Sequence, residues 1–435
     1  MIRVLFAAVL SLTAMSAKAI EIQEVTSPGG IEAWLVQEDE IPFVAIEFIF
    51  DGGASLDEPA KRGATNLMMG LLEEGSGDLD ARQFQEAREA LAASYGFDTF
   101  DDSVSVTAQF LTENRDQAVA LLREALVNPR FDEDAIERVR AQVIAGIRSD
   151  AQNPNDLASQ AFDAAAFGDH PYGATVNGTL ETVAAITRDD LIAAHRNALV
   201  KGRVHVGVAG DISADELGLL LDDLLGDLPM DGPDLPSRVE FGLEGGITVV
   251  PFATPQSVAL FGHSGIERDD EDFFAAFILN EILGGRGVES RLTREVREER
   301  GLTYGVSTFL VPKDHTEIYL GQVASANDRI AQAIEVIADE WALMAEEGVS
   351  EAELDAAKTY LTGAYPLRFD GNASIAGILV GMQSVDLTPD YIENRNDFVN
   401  AVTLEDVNRV AAELLNPDGL HFVVVGQPEG LEPTQ

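Results

Sequence analysis

The 435-residue chain contains no cysteine. It therefore has no disulfide, no cysteine-ligated metal, no thiol nucleophile and no lipidated cysteine at a processing site, even in a compartment that would permit disulfides. Basic residues are scarce: 29 Lys and Arg stand against 75 Asp and Glu, a formal charge of −46. Nucleic acid is a poor partner on that balance, because phosphate binding needs basic patches. The charge favours solubility and draws cationic ligands over long range. Beyond the N-terminus no apolar run approaches the ~20 residues needed to span a bilayer, so no membrane insertion is expected. Histidine is rare as well, at positions 170, 195, 205, 263, 315 and 421. None has a second His or a Glu at i+4 in a helical segment that would converge on one metal ion. His315 and Glu317 have only strand spacing. His205 and His421 open similar strand-like stretches and read as packing residues.

What remains is ordinary globular material, 46% hydrophobic and 24% charged, too long for one hydrophobic core. Residues 1–19, MIRVLFAAVLSLTAMSAKA, begin with a basic Arg3, continue through an apolar stretch from Val4 to Met15 and end in Ala17-Lys18-Ala19. This is the pattern of a secretory signal with a small-x-small cleavage site. A mature protein starting at Ile20, soluble and periplasmic or secreted, is expected.

Residues 228–246, LPMDGPDLPSRVEFGLEGG, hold three prolines and four glycines and read as an exposed linker. They divide the mature chain into an N-terminal domain, 20–227, and a C-terminal domain, 247–435. Four stretches recur in the same order in both halves. YGFDTF (95–100) answers YGVSTF (304–309), and FDEDAIERVR (131–140) answers VSEAELDAAK (349–358). ITRDDL (186–191) answers VTLEDV (402–407), and HVGVAG (205–210) answers HFVVVG (421–426). A duplicated architecture follows. Short alternating runs such as VAIEFIF and SVSVTAQFL read as strands, followed by helical-period segments that do not alternate strictly with them. The expected fold is α+β: two homologous domains, each a mostly antiparallel sheet packed with helices, facing each other around a cavity.

The stretch SRLTREVREERGLTYGVSTF (290–309) sets Arg291, Arg294, Arg297 and Arg300 at a spacing of three, followed by a Tyr-Gly step. On a solvated α-helix, Arg291 would pair with Glu295 and Arg294 with Glu298 at i,i+4. The alternative is that one arginine faces a ligand. Gly284, Gly285 and Gly287 precede it; no GK[ST] follows, so a flexible turn is expected and a phosphate loop is not.

Together, GGRGVESRLTREVREERGLTYGVS, DGGASLDEPAKRGATN (51–66) and AFGDHPYGATVNG (166–178), in a duplicated chain, resemble the insulinase/pitrilysin-type zinc peptidases, specifically their bacterial two-domain branch. The resemblance runs over essentially the whole mature chain. Active members carry H-x-x-E-H on a helix, with two His as zinc ligands, a water-activating Glu and a third ligand Glu on a later helix. Laid on this chain, the motif falls on Asn66, Leu67, Met68, Met69 and Gly70, and the later Glu falls near Gly146. Every donor is replaced, so no zinc is expected in this chain.

The resemblance also implies that Arg297 and Tyr304 reach substrate held at the other domain's zinc, the guanidinium gripping carbonyls or a carboxylate and the phenol donating to an oxyanion. A chain retaining that pair without the metal site is expected to be the non-catalytic subunit of a heterodimeric zinc peptidase, inactive alone. Its partner would be a homologous H-x-x-E-H subunit holding the zinc, and its ligand an extended peptide. The competing expectation is a proteolytically inactive assembly or peptide-binding protein of the same fold.

Overall fold

Period-two burial defines the strands. In Phe43–Asp51, Val44, Ile46, Phe48 and Phe50 all turn into one core, as a pleated strand requires. The structure is a computed structural model and describes residues 21–285 and 290–434. The expected signal segment and Gly287 lie outside the described residues.

In the first half β1 (Gln23–Thr26), β2 (Glu32–Gln37) and β3 (Phe43–Asp51) are followed by a two-residue ladder of β4 (Gly75–Ser76) with β5 (Leu79–Asp80). Then come β6 (Ser94–Thr99), β7 (Ser103–Leu111) and, after five helices, β8 (Val204–Gly210). The large sheet has the order β1-β2-β8-β3-β7-β6, with only β2 and β8 parallel. The second half contributes β9 (Gly246–Pro251), β10 (Gln256–Ser264), β11 (Val306–Lys313), β12 (Thr316–Ala326) and β13 (His421–Gly426). Their order is β11-β12-β10-β13-β9, with only β13 and β9 parallel.

Read from β9, the second sheet repeats β2-β8-β3-β7-β6 strand for strand and direction for direction. The duplication legible in the sequence is thus a duplication of topology. His205 and His421 fall on equivalent strands, β8 and β13. Helix caps repeat too. Thr187 and Asp190 form a capping box on Arg188–Ala198, and Thr403 and Asp406 form the same box on Leu404–Leu414.

Each half also covers the other's sheet. The helix Pro154–Phe167 of the first half lies on β10 and β13, packing Ala158 and Phe162 against Val258, Leu260, Val423 and Val425. Its counterpart Asn372–Gln383 lies on β8 and β3, with Ile375, Ala376 and Leu379 against Val36, Ala45 and Ala209. This explains why β10 is buried at seven consecutive positions rather than alternately: both of its faces are covered. It also explains Gly207, where a Cβ would sit 2.2 Å from the carbonyl oxygen of Ala376.

Candidate functional site

The helix Ala64–Met69 is short and held at its start. The Asp57 carboxylate accepts from Gly63 N–H (2.9 Å), Thr65 N–H (3.1 Å) and the Thr65 hydroxyl (2.6 Å). Gly63 takes φ 91°, a left-handed conformation that favours glycine. On this helix the Asn66 amide donates to Asn177 Oδ1 (3.1 Å), and Asn177 donates in turn to Asp150 (3.2 Å). Met69 is 1% exposed, packed in the core with Leu67 and Met68. Gly70 offers no donor, and neither does Gly146, on the long helix Glu133–Asp150. A Cβ on Gly146 would meet nothing within 4 Å, so the space for a side chain exists and the ligand does not.

Zinc does not fit this set: an amide already bonded to another amide, a buried thioether and two glycines supply no imidazole or carboxylate. Among the described residues no group of three or more His, Asp or Glu side chains is placed to hold a metal ion. The described histidines are engaged in structural contacts. His195 meets Leu126 O (2.8 Å), His205 meets Asp51 (3.3 Å), His263 accepts from the Trp341 indole (3.0 Å), and His421 bonds Thr248 (2.9 Å).

Beside this helix lies a cavity of about 640 Å³, lined by Arg62, Asp101, Asp150, Asp163, His170 and Asn177 among others. Burial pushes the Asp163 carboxyl up to about 6; Lys313 opposes the shift and Asp101 adds to it. Lys313, at the end of β11, pairs with Asp101 and sits 4.2 Å above the Tyr172 ring. The Tyr172 hydroxyl donates to Asp102 (2.6 Å) and accepts from His315 N–H (3.1 Å). These contacts tie the two halves together at the cavity's edge. Sequence reading passed over Asp163, Asn177 and Lys313. The stretch 166–178 was the only local signal, and it carried no roles for individual residues.

The arginine segment corrects the i,i+4 expectation. Thr293–Glu298 is a π-helix, in which Glu299 N–H reaches back five residues to Arg294 O (2.9 Å). Widening the turn takes i and i+4 out of register. Arg291 instead forks onto Glu353 (2.7 and 2.9 Å), and Arg294 (3.1 Å) and Arg300 (2.6 Å) converge on Glu295. The Arg297 guanidinium has no hydrogen bond or ion pair among the described residues, although the residue's backbone carbonyl accepts from Gly301 N–H (3.0 Å). It is exposed and lines a second cavity, about 530 Å³, with Asn155, Gly285, Thr293, Ser307 and Gln322. Asn155 lies in the first turn of the first-half helix Pro154–Phe167, so both halves build this cavity. The next residue, Asp156, lines the first cavity; one helix start separates the two.

Tyr304 precedes β11 and is 90% exposed. Its backbone is fixed from both sides: the Thr303 hydroxyl donates to Ala324 O (2.6 Å) and accepts from Gly305 N–H (3.0 Å). The structure therefore places Arg297 on the cavity wall and Tyr304 next to the lining residue Gly305. The loop expected at Gly284 and Gly285 is otherwise built. Gly284 ends the helix Phe273–Gly284 and is buried, and Gly285 follows with an ordinary φ of −63°. Cβ atoms there would meet the Thr308 hydroxyl and the Glu281 carboxylate, each at 2.4 Å, so these glycines serve close packing, not hinge motion.

Comparison with known proteins agrees with this architecture. Residues 34–180 match the profile of the insulinase family (peptidase family M16), and residues 185–361 match that of the peptidase M16 inactive domain. An uncharacterized zinc protease of Mycobacterium leprae is 30% identical over 92% of this chain and 91% of its own. A non-peptidase homolog of Helicobacter pylori is 26% identical over 88% and 89% of the two chains. The crystal structure of a peptidase M16 inactive domain from Pseudomonas fluorescens superposes with a TM-score of 0.88 at 28% identity, covering 95% of this chain and all of that one. The chain belongs to the insulinase family, peptidase family M16. Lacking every donor of the family's metal motif, it is a zinc-less, non-catalytic member. Among the described residues no helix is long and apolar enough to cross a membrane.

Proposed function

We propose that this chain is the non-catalytic subunit of a heterodimeric, exported zinc peptidase, and that it lends Arg297 and Tyr304 to a site whose zinc is held by a homologous H-x-x-E-H partner. The observation that carries this is the unequal treatment of four neighbouring arginines. Three are tied to carboxylates, and the fourth stands free on a cavity wall seven residues before a tyrosine left in water. A free guanidinium fork suits peptide carbonyls or a terminal carboxylate. An exposed phenol suits donation to the oxyanion formed when a peptide carbonyl is attacked. β11, an edge strand of the second sheet, offers backbone groups to an extended peptide. The division into a 20–227 domain, a 228–246 linker and a 247–435 domain, and processing before Ile20 for release to the periplasm, belong to the same reading.

Native purification from the periplasm, followed by zinc analysis of the separated chains, tests it. The expected result is co-purification with an H-x-x-E-H subunit, zinc only in that subunit, and peptide cleavage by the pair but not by this chain. One tightly bound zinc in this chain, with chelator-sensitive cleavage by it alone, would overturn the proposal. A stable pair that cleaves no peptide would favour the assembly-protein reading.

A further inference from the structure

A third cavity, about 490 Å³, lies among helices of the second half, apart from both regions described above. The turn Tyr365–Arg368 and the helices Phe273–Gly284, Asn372–Gln383 and Tyr391–Ala401 enclose it. Among the described residues its walls carry Arg268, Arg368 and Arg395 and no carboxylate, in a chain with 75 acidic and 29 basic residues. None of the three arginines forms an ion pair among the described residues. Arg268 lies 4.2 Å above the Phe273 ring and donates to the Tyr391 hydroxyl (3.1 Å). Arg395, 5% exposed, lies 4.7 Å from the Tyr365 ring and donates to Leu361 O (2.7 Å). Arg368 is exposed, and its guanidinium has no hydrogen-bond partner among the described residues.

Holding a buried cation without counter-charge is costly; at Arg395 burial lowers the pKa, Tyr391 and Tyr365 oppose the shift, and Arg368 adds to it. Glu47, on the neighbouring sheet, comes within 3.0 Å of where a Cβ on Gly377 would sit. It does not line the cavity, and burial and Asp98 both push its carboxyl upward. The fourth wall is kept open by small residues. Ser374, Gly377 and Gly381 share one face of Asn372–Gln383 at helical spacing, while Ile375, Ala376 and Leu379 grip the sheet. A Cβ on Gly381 would meet nothing within 4 Å.

The geometry points to a binding site for a small amphipathic anion, a carboxylate or phosphate carried on an aromatic body, with the arginines holding the charge and the aromatic wall the ring. Arginine forks match such oxygens, and aromatic walls with a few convergent polar groups are the usual make-up of a ligand cavity of this size.

Calorimetric titration of the full chain with 1-naphthyl phosphate and 1-naphthoate, against the neutral 1-naphthalenemethanol, is the test. Expected is one anion per chain with Kd below about 100 μM, and binding of the alcohol at least tenfold weaker, about 1.4 kcal/mol. Arg368→Ala, at an exposed position, weakens the anions about tenfold without changing the melting temperature. Gly381→Leu fills the cavity and abolishes binding. The proposal is overturned if neither anion binds below about 1 mM, if the alcohol binds as tightly, or if folded Arg368→Ala and Gly381→Leu proteins bind like the parent.

Discussion

The helix Ala64–Met69 and the segment Thr293–Glu298 occupy the two places where the family's chemistry would be sought, and they have been treated in opposite ways. In the first, each polar group is satisfied inward: Asp57 closes the helix start, Asn66 bonds Asn177, and Met69 fills the core. In the second, Arg297 is left unpaired beside three arginines that are not, and Tyr304 keeps a large ring in solvent. A free arginine and an exposed tyrosine contribute little to the stability of the chain that carries them. The lesson is that loss of chemistry ends in ordinary packing, whereas donors held open near a cavity are where the proposed contact with another molecule is placed.

The comparison breaks most sharply at Met69. Met69→Glu restores the family's residue type but buries a carboxylate where a thioether fills the core. A loss of about 3 kcal/mol is expected, measured as a lower denaturant midpoint. A silent substitution would show that this position still faces a polar cavity.

A matched pair of arginine truncations comes next. Arg291→Ala removes a half-buried fork from Glu353, at an expected cost of about 2 kcal/mol. Arg297→Ala removes nothing from the fold and should stay within about 0.5 kcal/mol. Equal losses would erase the distinction drawn between them.

The smallest effect concerns the first cavity. The Asp163 carboxyl, up from the ordinary 3.8 to about 6, holds its proton more tightly folded than unfolded. Stability therefore falls as pH rises through that window, and the penalty is complete above pH 6. Asp163→Asn removes it, so the melting temperature should rise by roughly 3 °C at about pH 7.5 and hardly move at about pH 4.5. An equal rise at both values would assign the effect to packing instead.

Much of this was legible in the chain itself. The repeated YGxxTF, ThrxxAsp and HxxVxG stretches mark equivalent strands and capped helices because each encodes a local device, an edge strand, a capping box or a buried strand, that folds the same way twice. The empty metal positions were legible because a ligand is a residue type, and Asn66, Met69, Gly70 and Gly146 are the wrong types. The π-turn was not legible, since helical spacing alone does not reveal an inserted residue, and with it went the pairing of Arg291 and Arg294. Nor were the exchanged helices, the Lys313–Asp101 tie or the Asp163 environment, which depend on contacts between distant segments. Gly284 and Gly285 read as part of a flexible turn, while tight packing against Thr308 and Glu281 is what requires them.

The central claim, that Tyr304 and Arg297 act on a partner's chemistry, rests most directly on one hydroxyl. Tyr304→Phe keeps the ring and removes a single O–H from a residue 90% exposed, so neither folding nor assembly should change. The measurement is kcat for peptide cleavage by the complex of this variant with its H-x-x-E-H partner, after complex formation has been verified. A fall of roughly a hundredfold or more is the predicted result, the usual consequence of losing one oxyanion donor. An intact complex that cleaves at the parent rate would contradict the account and leave this chain a structural companion.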